Sequence, residues 1–329
     1  MRNIFIKNLI EAARQDPSIY LLTADLGFQA LEKFESEFPE RFINVGVAES
    51  NMIGIATGLA LTGKKVYVYS IVPFVTLRCL EQVRNNICHN NLNVKLVGVG
   101  GGFNYGNQGI SHNTIEDLAV MRVLPNMMVL CPADPVEADI IGRKIFEYAG
   151  PAYICLGKAG KKQVYDTIPE FSFGRGILVN DGKDLTIMCI GNIIDSVIAV
   201  RNNLECKGIS VRIISMPCLK PFDNDIIKKA AKETKAIFTI EERSKIGGLG
   251  EAVAGVLMEA GFPGILFKMF AVSDDCHTDV GSHEYLKEKK GLGSDFITEE
   301  IIKLTKWIKW LTIALLVLAL IQIIILLSY

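Results

Sequence analysis

The chain has 329 residues, half of them hydrophobic, which is enough for two compact domains with large buried cores. Lysine and arginine number 35 and aspartate and glutamate 36, so there is no basic excess to neutralise the phosphates of a nucleic acid. The eight cysteines form no Cys-x-x-Cys pair, and no apolar secretory segment opens the chain. We therefore expect a cytoplasmic protein with reduced thiols that binds no nucleic acid, and we exclude a disulfide scaffold and a thiolate zinc site.

The first half alternates β-branched apolar runs with amphipathic stretches, the pattern of strand–helix–strand units around a mostly parallel sheet. The apolar runs predict strands over Ile19–Thr23, Val66–Tyr69, Val94–Val99, Met127–Leu130 and Ala152–Leu156. The stretches between them predict helices over Asn3–Arg14, Glu49–Leu61, Phe74–His89 and Pro135–Tyr148. Ligands of such sheets bind at the carboxyl ends of the strands, so the chemistry is expected in the loops that follow them.

The second half repeats this alternation after a segment rich in Gly, Lys and Asp. Its strands are predicted over Leu185–Ile190, Ser210–Ile214, Ala236–Ile240 and Ile265–Met269. Its helices are predicted over Ile193–Cys206, Asn224–Glu233, Gly250–Ala260 and Asp295–Lys303. The sequence therefore predicts an α/β protein with two doubly wound, mostly parallel-sheet domains, residues 1–165 and 184–304, joined by a linker over residues 166–183.

The last residues, 305–329, differ from the rest of the chain. Leu311 to Leu327 carries no charge, and with the flanking tryptophans it approaches the roughly 20 apolar residues that cross a bilayer. Lys303, Lys306 and Lys309 precede this run, which places the preceding domains on the cytoplasmic side. The tail therefore predicts a transmembrane helix that anchors the protein to the inner face of the cell membrane, with an apolar helix buried in an oligomer as the alternative.

The segment Gly46-Val47-Ala48-Glu49 opens a helix that is otherwise apolar and small. A carboxyl group at this position is favoured as an anion by the helix dipole and as a neutral acid by burial, so it can act as a tuned acid. The same letters also fit a glutamate that only satisfies backbone N–H groups at the helix start.

A glycine-rich loop follows the strand that ends at Val99 and leads to Ser111 and His112. Glycines let the backbone approach a ligand closely, and His112 then lies within reach as a proton carrier. The same residues are also typical of a flexible surface loop without a ligand. Phe74, after the preceding strand, is either a stacking surface for a ring or part of the core. Arg2 and Lys158 are either anion ligands or solvated charges.

Taken together and in this order, these segments resemble the carboxyl-terminal half of transketolase, a thiamine-diphosphate enzyme that moves two-carbon ketol units between sugars. The resemblance spans about residues 1–304 and rests on Ala24-Asp25-Leu26, Gly46 to Glu49, Ser111-His112 with Glu116, Cys131-Pro132-Ala133-Asp134, and Glu242 with Gly247-Gly248-Leu249-Gly250. It implies a pyrimidine-binding domain followed by the carboxyl-terminal domain of the family.

The resemblance also implies roles for single residues. Glu49 matches the catalytic acid that hydrogen-bonds the aminopyrimidine of the cofactor, and Phe74 matches an aromatic residue that packs on this ring. Asp25 matches an acid near the cofactor and the subunit boundary. His112 matches a catalytic and substrate-binding histidine, and Arg2 and Lys158 fall where the family places basic ligands of the sugar phosphate.

Two positions depart from the family pattern. Gln108 stands where the family carries an acid that reads a sugar hydroxyl, and we expect it to bind substrate. Gly100 stands where sugar-using members often carry a histidine. Both departures argue against the ordinary pentose and triose phosphates as substrates.

The family binds the diphosphate through Mg²⁺ with a Gly-Asp-Gly motif in an amino-terminal domain, and the sequence offers no such motif in a matching context. We therefore predict a split transketolase, in which an amino-terminal subunit supplies the diphosphate and Mg²⁺ site and this chain carries no metal ligands of its own. A two-plus-two heterotetramer is expected. The alternatives are the β subunit of a 2-oxo-acid dehydrogenase decarboxylase component, a synthase that condenses pyruvate with a triose phosphate, and a non-catalytic subunit.

Overall fold

The computed structural model describes residues 1–157, 163–274, 278–306 and 323. Its strands, in chain order, are β1 (Ile19–Thr23), β2 (Phe42–Asn44), β3 (Lys65–Ile71), β4 (Val94–Val99), β5 (Met128–Leu130), β6 (Ala152–Leu156), β7 (Ile177–Asn180), β8 (Leu185–Ile190), β9 (Val211–Ser215), β10 (Cys218–Lys220), β11 (Ala236–Ser244) and β12 (Leu266–Val272).

The helices cover the faces of these sheets. They are α1 (Arg2–Gln15), α2 (Glu32–Glu37), α3 (Glu49–Leu61), α4 (Val72–Val75), α5 (Leu80–Gln82), α6 (Asp117–Val123), α7 (Pro135–Ile145), α8 (Ile194–Glu205), α9 (Asn224–Glu233), α10 (Leu249–Glu259) and α11 (His283–Lys289). A π-helical segment, Val83–Cys88, continues α5, and a further helix spans residues 294–306.

The strands form two mixed, mostly parallel sheets, so this part of the fold prediction is confirmed. The first sheet has the order β10-β5-β6-β4-β3-β1-β2 and the second β12-β11-β8-β9-β7. Among the strands described, only the outer pairs β10–β5 and β7–β9 are antiparallel. All residues of β4, β6 and β8 are buried, because helices cover both faces of the sheets.

Local chemistry fixes where the helices begin. The α7 helix starts after Asp134, whose carboxylate accepts a hydrogen bond of 2.8 Å from the backbone N–H of Glu137, and Pro135 occupies its first position. Ser282 caps α11 in the same way through the backbone N–H of Tyr285. These caps orient the loops at the carboxyl edge of the sheets.

Three short strands were not expected from the sequence. The strand β7 lies within residues 166–183, where the sequence predicts a linker, and it pairs with β9 at the edge of the second sheet. The strand β10 returns from the second half of the chain to pair with β5 of the first sheet. With β2, these strands have only three or four residues each, which is too short for a periodic signal. The limits 1–165 and 184–304 remain predictions.

The predicted membrane anchor is corrected by the structure. Across residues 1–157, 163–274, 278–306 and 323, no helix combines the length and the apolar character needed to span a bilayer. The last described helix, residues 294–306, carries Asp295, Glu299, Glu300 and Lys303, which a bilayer core disfavours. The prediction of a transmembrane helix is therefore wrong for the described chain, and the other residues of the predicted tail, 307–322 and 324–329, lie outside it.

Candidate active site

Glu49 is the first residue of α3 and lies at the carboxyl edge of the first sheet. The turn from β2 to α3 is sharp: Gly46 adopts φ +71°, its carbonyl accepts a hydrogen bond of 2.7 Å from Ala48, and its N–H donates to the Asn44 side chain. This turn places the Glu49 side chain inward, where it is only 3% exposed. The structure thus places a buried carboxyl group at the start of this helix.

The carboxylate of Glu49 pairs with a cationic side chain. An Nη atom of Arg78 lies 2.7 Å from its Oε2 atom, and the Cζ atom of Arg78 lies 4.1 Å from the ring centroid of Phe74. The guanidinium group therefore stacks on an aromatic ring while it donates a hydrogen bond to a buried acid. The Arg78 side chain is 46% exposed, so the cationic partner of Glu49 is accessible to solvent.

Phe74 also contacts His112, which connects the acid to the glycine-rich loop. The two ring centroids are 5.2 Å apart with an edge-on geometry, and the Nδ1 atom of His112 lies 2.9 Å from the Oγ atom of Ser111. Tyr105 flanks the other side of His112 at 6.3 Å. The fold thus brings Glu49, Phe74 and His112 into one continuous group, as the sequence predicts.

Asp25 and Gln108 lie at the margins of this group. Asp25 is exposed, adopts φ +54°, and exchanges hydrogen bonds with Asn44 at the end of β2. Gln108 is exposed in the turn that precedes His112, and its backbone N–H donates to the carbonyl of Tyr105. The roles of both residues stay predictions.

Of the two predicted basic ligands, the structure describes one. Arg2, at the start of α1, is half-buried, and its side chain donates a hydrogen bond to Asn3. Burial raises the pKa of Tyr69 to about 12, against the opposing effect of the positive charge of Arg2 beside it. Arg2 therefore lies near the carboxyl end of β3. Lys158 falls outside the described residues.

The second half of the chain holds the glycine-rich loop in place. Glu242, on β11, accepts a hydrogen bond of 2.8 Å from the backbone N–H of Phe103 and contacts the Nε2 atom of His283 at 2.6 Å. Next to it, Arg243 forms a buried ion pair of 2.6 Å with Asp117. Both pairs join the second sheet to the loop that carries His112.

Comparison with known proteins identifies the family. Residues 1–161 match the model of the transketolase pyrimidine-binding domain, and residues 174–288 match that of the transketolase C-terminal domain. Together these matches cover most of the chain. This chain belongs to the transketolase family. The resemblance noted in the sequence is thereby confirmed.

Similar proteins include subunits of split transketolases. The chain is 36% identical to a subunit of the apulose-4-phosphate transketolase of Phocaeicola vulgatus, over 88% of this chain and 94% of that protein. It is 34% identical to the 6-deoxy-6-sulfo-D-fructose transketolase subunit SqwH of Clostridium sp. strain MSTE9, over 93% of this chain and 94% of that protein. A solved split-gene transketolase, described as an inactive tetramer of beta chains, superposes with a TM-score of 0.82 at 38% identity, over 92% and 96% of the two chains.

Two residues that contact this candidate site were missed in the sequence, Arg78 and Tyr105. Arg78 lies four residues after Phe74, and in the helix predicted over Phe74–His89 this spacing would place the two side chains on the same face, so this neighbour could have been found. Tyr105 reaches the site only because its loop folds back, which no periodic pattern reports.

Proposed function

We propose that this chain is the carboxyl-terminal subunit of a split transketolase that transfers a two-carbon ketol unit from a ketose to an aldose. In this proposal Glu49 and Phe74 hold the aminopyrimidine of thiamine diphosphate. An amino-terminal subunit holds the diphosphate and Mg²⁺, and the two chains assemble as a two-plus-two heterotetramer. The split relatives, which match this chain nearly end to end, support the need for a partner.

One observation carries the cofactor assignment. A flat, cationic hydrogen-bond donor, the guanidinium of Arg78, is already stacked on Phe74 and bonded to buried Glu49. An aminopyrimidine is also flat and also offers nitrogen atoms to a carboxyl group, so the residues present fit this group. Thiamine diphosphate, when bound, supplies the carbanion-stabilising chemistry for breaking the carbon–carbon bond beside a ketone.

The residues of this chain have separable roles in the proposal. Glu49, whose side chain is buried, holds a proton at a carboxyl oxygen, against the pyrimidine ring. Phe74 fixes the plane of the ring. His112, oriented by Ser111, holds or moves a proton at the substrate hydroxyl and carbonyl oxygens, and Gln108, Arg2 and Lys158 bind the sugar and its anionic end. Asp25 lies toward the cofactor and the subunit boundary.

The test is ketol transfer by the chain reconstituted with an amino-terminal subunit that carries the Gly-Asp-Gly motif. We expect transfer with thiamine diphosphate and Mg²⁺, and a loss of about 10²- to 10⁴-fold in kcat for Glu49→Gln, because the amide cannot exchange the proton. Glu81→Gln, an exposed residue near the same helix, is the matched control and should behave as the wild type.

Three outcomes would contradict the proposal. Equal rates for the wild type and Glu49→Gln would exclude the catalytic role of Glu49. Tight binding of thiamine diphosphate and Mg²⁺ by the isolated chain would exclude a partner-held diphosphate site. Turnover of pyruvate without ketol transfer would favour the decarboxylase or synthase alternatives.

A further inference from the structure

The side chain of Tyr105 fills the space that a side chain on residue 100 would occupy. Gly100 directly follows the central strand β4 and has φ +84°, and its backbone N–H donates a 2.9 Å hydrogen bond to the Leu156 carbonyl. A Cβ atom built on Gly100 would lie 2.0 Å from the Cε2 atom of Tyr105 and 2.4 Å from its Cδ2 atom. The ring of Tyr105 and any side chain at residue 100 therefore exclude each other.

The position of Tyr105 is fixed by its loop. The residues after it form a single turn, Gly106–Gln108, and Gly106 packs so closely on Gly281 that its own Cβ would lie 2.4 Å from the Gly281 carbonyl oxygen. This contact holds the base of the turn and directs the tyrosine ring back toward β4. The ring is half-buried and lies beside His112.

Tyr105 has both His112 and Arg2 in its surroundings. Its ring is 6.3 Å from that of His112. Burial raises the pKa of Tyr105, and the positive charge of Arg2 opposes this rise. A ketose whose ketol end reaches His112 and whose far end carries an anion for Arg2 would pass along the phenol of Tyr105.

We propose that Tyr105 is a specificity-determining residue that binds the carbon chain of open-chain ketoses bearing a terminal phosphate or sulfonate. This inference rests on the proposed ketol transfer and on Arg2 as the anion ligand. The phenol both donates and accepts hydrogen bonds, so it can serve a sugar hydroxyl between the two ends. Tyr105 lies in the loop, five positions after Gly100. Its phenol would therefore approach the substrate from the loop, whereas a side chain on residue 100 would approach it from the end of β4.

The test uses steady-state kinetics of the reconstituted pair with three donors. These are erythrulose, which has no anionic end, fructose 6-phosphate, and 6-deoxy-6-sulfofructose. We expect Tyr105→Phe to raise KM for both anionic donors about tenfold, the loss of one hydrogen bond, with kcat within about twofold. KM for erythrulose should change less than about threefold. Whichever anionic donor has the lower KM with the wild type identifies phosphate or sulfonate as the anion.

A second arm tests the shared space directly. Gly100→His alone should lower kcat/KM strongly, because its side chain meets the Tyr105 ring and because φ +84° strains any residue other than glycine. The double variant Gly100→His with Tyr105→Ala should recover part of this loss, although it carries one more substitution. Tyr20→Phe, at the opposite end of β1, is the control for removal of a phenol hydroxyl and should leave all three donors unchanged.

The outcomes separate this inference from the proposed function. Ketol transfer that proceeds with unchanged KM values in Tyr105→Phe and Tyr105→Ala would overturn the role of Tyr105 alone. A double variant no more active than Gly100→His would overturn the shared-space argument. A wild-type pair that transfers no ketol unit from any donor would overturn the proposed function and this inference together.

Discussion

At the scale of single residues, the site is organised by one buried carboxylate. Glu49 is 3% exposed and has Arg78 within 2.7 Å, so its charge is compensated by a donor that is itself half in solvent. Burying a carboxylate without such a partner costs several kcal/mol, which is why the pair forms in the chain by itself. In this arrangement the half-exposed guanidinium of Arg78 covers the Phe74 ring beside Glu49.

This pairing predicts a thermodynamic coupling between the two residues. Arg78→Met should lower the free energy of unfolding of the isolated chain by about 1–2 kcal/mol, because it removes a charged hydrogen bond from a buried acid and solvent screens the exposed arginine. In a Glu49→Gln background the same substitution should cost less than half as much. Urea unfolding of the four chains measures the coupling.

Arg84→Met provides the control for the coupling, since Arg84 is exposed and hydrogen-bonds only its neighbour Asn85 among the contacts described. Its effect should be the same with glutamate or glutamine at residue 49. Additive costs for Arg78→Met and Glu49→Gln would contradict the pairing.

At the scale of secondary-structure elements, the loops after β2, β3 and β4 build the site, each by a different local device. After β2 a left-handed glycine turns the chain into α3, after β3 a short helix presents Phe74, and after β4 a run of glycines lets the backbone pass close to β11. Glycine is required in that run for space: a Cβ on Gly101 would lie 2.3 Å from an Nη atom of Arg243 and 2.7 Å from the Sγ atom of Cys155.

Gly101→Ala should therefore destabilise the protein by about 1–3 kcal/mol, because both neighbours are buried and Arg243 is held by its ion pair. Gly255→Ala is the matched substitution in the middle of α10, where a Cβ meets no described atom within 4 Å, and it should stabilise by about 0.5–1 kcal/mol. Thermal unfolding of the two variants gives the comparison. Equal shifts of both melting temperatures in the same direction would contradict the steric argument.

At the scale of the whole molecule, the two sheets are joined through the active-site loop. The carboxylate of Glu242 connects β11 to the backbone of Phe103 and to His283 at the start of α11. Burial by itself raises the pKa of Glu242, but the hydrogen bond from His283 and the positive charges of His283 and Arg243 outweigh it, so its pKa lies below the usual 4.5. The second half of the chain thereby supports the position of His112 without contributing a predicted catalytic residue.

The lowered pKa predicts how this junction depends on pH. A carboxylate whose pKa is lower in the folded state adds stability that is complete above its unfolded pKa and is lost as the pH falls through its folded pKa. Glu242→Gln should therefore be less stable than the wild type at pH 7, and the difference should shrink below pH 4.5. Urea unfolding at pH 7 and at about pH 4 measures this. A difference that grows on acidification would contradict it.

The sequence by itself determined much of the fold and of the predicted chemistry. Apolar runs predicted the buried strands β4, β6 and β8, because a parallel strand covered on both faces is mostly apolar. The motif around Glu49 and the Ser111-His112 pair indicated the family through their resemblance to the transketolase pattern. The apolar tail predicted a membrane helix, and there hydropathy alone was misleading.

Only the tertiary structure decided which of these residues meet. The order of the strands brings the loops after β2, β3 and β4 to one edge and so places Arg78 against Glu49, Tyr105 in the space above Gly100, and Glu242 under Phe103. The short strand β10 joins the two halves by pairing with β5 of the first sheet, and β7 completes the second sheet by pairing with β9. Such contacts depend on strand order and loop path, and the free energy that fixes them comes from packing between distant segments, which no local pattern of residues contains.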